Sequence, residues 1–255
     1  MVAPTDPHGI NTAGSPKKLD HAIDSWGYVH GRQDRTRLII GGGVFFVGAL
    51  TIIVAFFLYR FGTDNYHKIS QEWHRSSQLE GEAFRRYINE NEIKTVLRLV
   101  GTDDSDEVSY EEERAAAEAS GAKLVIAKMA ATRLPWRSEL STLFNALDNI
   151  ETPVLVHCRQ GADRTGLVTV IWLHDYRGTP LETAREQLAF FPYGHVEIGG
   201  PQAMDDFLDM YEAFTAAHPK EKLKIRDWVR QHYFEEKPGR AIAAWYDGVV
   251  YRPAG

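Results

Sequence analysis

His157-Cys158-Arg159-Gln160-Gly161-Ala162-Asp163-Arg164-Thr165-Gly166 is the stretch that decides how this chain folds. The apolar run Pro153-Val154-Leu155-Val156 precedes it and Leu167-Val168-Thr169-Val170-Ile171-Trp172-Leu173 follows, so the pattern predicts a strand, a tight loop and the first turn of a helix. Backbone N–H groups of a glycine-bearing loop at a helix N-terminus point inward, and the helix dipole adds partial positive charge, so the segment suits an anion. A cysteine at the mouth of such a loop is favoured as the thiolate. Free cysteine has a pKa of about 8.5, and sites of this kind lower it to roughly 3.5–7.5. The stretch therefore sets a nucleophile, Cys158, beside a place for oxyanions.

Working outward, strands and helices alternate. Ser77 or Gln78 to Asn91 reads as a helix, with Leu79, Ala83, Phe84, Tyr87 and Ile88 at helical spacing. A strand is expected over 92–100, a helix over 108–120 closed by Gly121, a strand over 123–129 and an amphipathic helix over 137–150. After the helix that follows the loop, expected to reach about Arg177, further helices read over 181–190, 202–217 and 220–234. This alternation predicts an α/β fold with a central, mostly parallel sheet flanked by helices, in which ligands sit at the carboxyl ends of the strands. The 255 residues are 44% hydrophobic and 25% charged, enough for one ordinary core, and the formal charge of −6 gives no footprint for nucleic acid. With a single cysteine the chain can form neither an internal disulfide nor a cysteine-based zinc site. No cofactor is called for.

A cysteine, five residues, then Arg164 and Thr165, with His157 in front and Gly161 inside, resembles the signature loop of the cysteine-dependent protein tyrosine and dual-specificity phosphatases. The Gly161-Ala162-Asp163-Arg164-Thr165-Gly166 wording is most similar to the compact bacterial dual-specificity type, and Arg75-Ser76-Ser77-Gln78 resembles the opening segment of the same group. The resemblance covers roughly residues 65–217. It implies that Cys158 attacks phosphorus, that Arg164 grips two phosphoryl oxygens and that Thr165 donates its hydroxyl to the sulfur of Cys158. His157, Arg159, Gln160, Gly161, Ala162 and Gly166 are expected to line or shape the phosphate site, without a metal. The substrate is expected to be a phosphorylated protein, with a phosphoinositide or inositol phosphate as the alternative and a phospho-binding pseudophosphatase as a third reading.

One part of the pattern is missing. Such phosphatases usually carry an acidic residue on the loop after the strand at 123–129, but no carboxylate lies between Glu118 and Glu139. The proton donor is therefore expected elsewhere. Asp163 is the first candidate, since myotubularin-like phosphatases share the Asp-Arg-Thr ending, with an orienting role as its alternative; Asp103 and Asp104 come second. Arg133 is expected to bring a second positive charge to the phosphate. His195, in Phe191-Pro192-Tyr193-Gly194-His195, reads as a solvated loop histidine, with contact to substrate as the alternative.

Ahead of this domain, residues 1–37 read as a flexible tail and 38–60 as a membrane helix. Leu38 to Tyr59 runs 22 residues without a charge between Arg37 and Arg60, about 33 Å of helix against a hydrocarbon core of roughly 30 Å. The phosphatase domain is placed at 61–217 and a C-terminal helix and tail at 218–255. Arg32, Arg35 and Arg37 precede the span while Arg60 and Lys68 follow it, so the bias favours a cytoplasmic N-terminus and a catalytic domain outside. A C-terminal fusion to a reporter active only in the cytoplasm is expected to stay silent; a bright fusion reverses the orientation.

Overall fold

The computed structural model describes residues 17–102 and 107–234, and the chain divides into two units after Leu58. Helix α1 (Lys17–Gly62) runs through the described part of the first unit and opens the second. Where a flexible tail is expected to Arg37, the backbone is helical from Lys17. No proline falls between Lys17 and Gly62, so a helix nucleated in the apolar segment can extend toward the N-terminus at little further cost. Residues 1–16, 103–106 and 235–255, and with them Asp103, Asp104 and the apolar C-terminal tail, lie outside the described residues. Ile39–Arg60 is long and apolar enough to cross a membrane, and 6% of its most apolar stretch is buried. A helix belonging to a protein core would be mostly buried.

The second unit is built on a five-stranded sheet of order β1-β2-β5-β3-β4, from β1 (His67–Lys68), β2 (Trp73–Ser76), β3 (Thr95–Arg98), β4 (Lys123–Ile126) and β5 (Val154–His157). The pairs β2–β5, β5–β3 and β3–β4 are parallel, and only β1 runs antiparallel, at the edge. Side chains alternate across the sheet, and each face has its own core. Val154, Val156, Leu97 and Trp73 pack on one face with Leu140, Leu143, Leu167, Val170, Phe207 and Trp228. They meet α4 (Arg137–Asp148), α5 (Asp163–Ile171), α7 (Ala203–Ala217) and α8 (Ile225–His232). Leu155 and Val96 face the other way, onto Leu79, Phe84, Ile88 and Ala117 of α2 (Gly81–Glu90), its approach and α3 (Glu107–Ala119).

The helix after the loop differs from its expected form. Helix α5 passes at Trp172–Tyr176 into a π-helical turn. There the Asp175 carboxylate is buried and accepts the backbone N–H groups of Ile225 and Arg226, satisfying orphan donors at the start of α8. Trp172 stacks on Trp73 at 4.5 Å. The short α6 (Leu181–Arg185) ends in a 3-10 turn, Glu186–Leu188, rather than continuing to Phe190.

The same alternation that buries Leu155 turns His157 toward α3, in register with Arg98 on β3. Glu113 of α3 reaches into that row. It accepts a 2.5 Å bond from Arg98 and lies 3.5 Å from His157, with all three side chains at most 2% exposed. Burial alone pushes the Glu113 carboxyl up, but His157 and Arg98 hold it below the ordinary carboxylate range. Removing one partner of a buried pair leaves the other charged and unsolvated, at a cost of about 3–5 kcal/mol. Glu113→Ala is expected to lower stability by that order, read from the urea unfolding midpoint. A change below about 1 kcal/mol would show the triad to be only weakly coupled.

Candidate active site

Strand β5 ends at His157, and Cys158 follows at its carboxyl end, 2% exposed. From there the carbonyls of four successive residues are tied outward. That of Arg159 accepts from Gln78 N–H at 3.2 Å, and that of Gln160 from Asn65 Nδ2 at 3.0 Å and Arg60 Nη2 at 3.2 Å. Those of Gly161 and Ala162 accept from Arg75 Nη2 at 2.8 and 3.2 Å. A peptide whose carbonyl is held outward turns its N–H the other way. Helix α5 begins at Asp163, and the N–H of Gly166 donates to Ala162, so the N–H groups at the start of the helix have no partner within it. Outward carbonyls and orphan amides together make an anion cradle.

Arg75 is the post on which this loop stands. It is fully buried on β2, and its second nitrogen, Nη1, donates to the carbonyl and the side-chain oxygen of Gln187 at 2.8 and 3.0 Å. The guanidinium lies 3.9 Å from the centre of the Tyr193 ring. Burial brings its pKa down, to about 10, so it remains a cation at neutral pH. Gly161 lies beneath it at φ +68°, where a Cβ would come within 2.4 Å of the Ser76 carbonyl oxygen. Only glycine fits both the angle and the space. At Gly166 a Cβ would meet Leu188 at 2.6 Å and the Gln187 carbonyl at 2.8 Å, so its absence lets α5 close against the 3-10 turn.

Arg164, on the first turn of α5, sends Nη1 toward the carbonyls of Leu99 and Met129 at 3.4 and 3.3 Å. These are the residues just past β3 and in the exit of β4, so Arg164 stands at the carboxyl end of the sheet, as expected for a ligand site. Its buried Nε has no acceptor among the described residues. The Thr165 hydroxyl is buried and has no hydrogen-bond partner among the described residues. Arg159 and Gln160 are exposed on the loop, while Ala162 is buried.

Two further positions depart from their sequence readings. His195 is not a solvated loop residue: it is 1% exposed, its Nδ1 is 2.7 Å from Asp163 Oδ1 and its Nε2 is 2.7 Å from Asp205 Oδ2. Burial pushes the imidazole down, but the two carboxylates outweigh it and raise its pKa to about 9. An imidazolium donating from both nitrogens therefore bridges α5 and α7. Arg133 is committed to a neighbour: it pairs with Glu139 at 2.6 Å and lies 3.5 Å from the Trp136 ring centre. Glu139 also accepts the Trp136 N–H at 2.8 Å. The short range from Arg133 to Glu139 hides this pairing in a sequence, because the same spacing also fits a loop arginine that faces outward. Among the described residues, no group of three or more His, Cys, Asp and Glu side chains converges as a metal site.

A buried cysteine at the end of a parallel strand, in a loop of outward carbonyls beside an arginine on the next helix turn, defines the catalytic domain of a cysteine-dependent phosphatase. Residues 65–184 match the model of the tyrosine phosphatase family. No curated protein matches the chain. Among solved structures the chain is similar to TpbA of P. aeruginosa, at 22% identity over 66% of this chain and 92% of that one, with a TM-score of 0.45. It is also similar to the core catalytic domain of the PP-IP phosphatase SIW14 of S. cerevisiae, at 19% identity over 63% and 96%, with a TM-score of 0.44. Tk-PTP in its active form matches at 23% identity over 58% and 97%, also with a TM-score of 0.44.

The bridging imidazolium has a consequence for stability. Its pKa stands at about 9 in the folded chain against 6.5 in the unfolded one. The stabilisation is therefore complete below pH 6.5 and is lost as pH rises through 9. The melting temperature is expected to fall between those limits in the native protein and to fall less in His195→Gln. Identical pH slopes for the two proteins would mean that His195 is neutral.

Proposed function

We propose that the domain hydrolyses phosphate monoesters of phosphorylated proteins through a phosphocysteine intermediate, held to a membrane by the helix over 39–60. The observation that carries the reading is the placement of Cys158 at the foot of a loop whose carbonyls, from Arg159 to Ala162, are all tied outward. In the first step the Cys158 thiolate attacks phosphorus, the S–P bond forms and the bond to the leaving oxygen breaks. The loop amides and the fork of Arg164 hold the three non-bridging oxygens, in the geometry and with the charge of the transition state. In the second step water attacks phosphorus, the S–P bond breaks and inorganic phosphate leaves. Thr165 is assigned to the departing sulfur, its hydroxyl being uncommitted.

Asp163 is assigned the proton. The loop over 130–136 has no acidic residue, and Asp163 on α5 has Oδ1 fixed by His195. A proton shared with the His195 imidazolium would pass through Asp163 to the leaving oxygen in the first step, and one from water would restore it in the second. His195 then fixes the orientation of the carboxyl group.

A second reading, hydrolysis of a phosphoinositide, is favoured by one observation: Arg60, the last residue of the membrane-crossing stretch, donates to the Gln160 carbonyl in the loop. Phosphopeptides and phosphoinositide vesicles compared on the full chain decide between the two.

The full chain in detergent is expected to turn over para-nitrophenyl phosphate, and Cys158→Ser to abolish turnover. Asp163→Asn keeps an acceptor for His195 and removes the titrating group, so it is expected to lose the basic limb of the pH–rate profile, with kcat down about 10²–10⁴-fold. An unchanged profile would remove Asp163 as the acid. No turnover dependent on Cys158 would leave a phosphate-binding protein.

A further inference from the structure

The segment between the apolar helix and the first strand is bonded into the phosphate loop. Asp64 and Asn65 are both in the left-handed region, at φ 54° and 47°, which turns the chain sharply after Gly62. Asparagine and aspartate are the non-glycine residues that accept this conformation most readily. The turn puts the Asn65 side chain, 2% exposed, at the centre of a cluster. Its Nδ2 donates to the carbonyl of Gln160 at 3.0 Å and to that of Tyr193 at 3.1 Å, and its Oδ1 lies 3.1 Å from His67 Nε2. Burial, and then the charges of Arg75 and Arg60, bring His67 down to about 4, so it is neutral at pH 7, and in the tautomer protonated at Nε2 it donates to Asn65 Oδ1. Asp64 ties in a second point: its carbonyl accepts both the N–H and the hydroxyl of Ser77 at 2.8 Å.

Arg60 completes the arrangement from the other side. Its Nη2 donates to the same Gln160 carbonyl at 3.2 Å. Its Nη1 passes so close to Gly194, at φ +77°, that a Cβ there would lie 1.9 Å away. Gly194 belongs to the segment that carries Tyr193, over Arg75, and His195, against Asp163. Asn65 and Arg60 thus hold one loop carbonyl between them while touching the strand of chain that supports both Arg75 and Asp163.

We propose that Arg60 and Asn65 are positioning residues of the phosphatase reaction: together they fix the Gln160 carbonyl outward and so keep the neighbouring loop amides aimed at the phosphate. The proposal rests on the phosphatase reading. It makes the residues immediately after the apolar stretch part of the catalytic apparatus, although neither touches the reacting atoms. Arg75 holds the Gly161 and Ala162 end of the loop, and this pair holds the Gln160 end.

Asn65→Ala and Arg60→Met in the full chain, purified in detergent, test it with para-nitrophenyl phosphate and with orthovanadate as a probe of the anion cradle. Each variant is expected to lose kcat/KM by about tenfold, the factor for a bond of the charged or strongly polar kind. The orthovanadate inhibition constant is expected to rise by a similar factor while the urea midpoint of Arg60→Met stays near that of the native chain. A purely structural role would lower the urea midpoint and leave kcat and orthovanadate inhibition of the folded fraction unchanged, which overturns the proposal. If Asn65→Ala does not fold, Arg60→Met, whose bond lies at the exposed side, decides alone. Absence of turnover in the native chain would instead strike the phosphatase reading, so the two failures are distinguishable.

Discussion

A buried guanidinium under a loop that must bind anions is an expensive thing to build. Arg75 has given up water on every side, and what it receives in return is four carbonyl and amide oxygens and the face of an aromatic ring. A buried cation is tolerable only when its donors are met by well-placed acceptors. Two of those acceptors are carbonyls of the phosphate loop, so the need to satisfy Arg75 is what aims the loop. The glycine at position 161 follows from this, since the backbone must pass within a Cβ's reach of Ser76 to bring its carbonyl to Arg75. The packing of Gln187, and through it the 3-10 turn that Gly166 admits, follows as well.

Around that centre the charges are sorted by face. On the α3 side Arg98, Glu113 and His157 form a closed set directly behind the residue that precedes Cys158. On the α7 side Asp163, His195 and Asp205 form another, continued outward by Arg185, which reaches Asp209 and Glu212 at 2.7 and 2.6 Å. Neither set is an efficient source of stability, because desolvation offsets much of the Coulomb gain. Each instead fixes a side chain next to the loop in one orientation. Two elements of the fold, α3 and the segment around Gly194, are thereby committed to the geometry of ten residues.

The loop, the parallel sheet and the position of Arg164 were legible because they follow from local pattern: an apolar strand, a glycine, and a helix with apolar spacing. What escaped was everything set by burial at long range. Arg75 sits in a four-residue strand whose place in the chain the resemblance of Arg75 to Gln78 suggests, but nothing in its neighbours marks it as fully enclosed. Glu113 belongs to a helix rich in Glu and Ala, where one buried carboxylate looks like its solvated neighbours; a count of which face the strand row would occupy is the signal that finds it. His195 lies 32 residues from Asp163, and only folding brings the pair together. The helix over 17–37 was missed for the opposite reason: its own residues carry no strong signal, and its order is borrowed from the apolar segment that follows.

The loop over 130–136 shows how a missing residue can be a packing decision. Arg133 lies on the Trp136 ring and pairs with Glu139, which in turn closes the start of α4, and the Tyr233 hydroxyl donates to the Pro135 carbonyl at 2.6 Å. The Arg133–Glu139 pair and the Tyr233 bond tie this loop to α4 and to the end of α8. A carboxylate in this loop would compete with Glu139 for Arg133 and would draw the loop away from that packing. The segment is therefore built to be rigid rather than to deliver a proton. The Asp163 carboxylate at the start of α5, which we propose as the proton donor, has its angle defined by His195 and lies outside that packing.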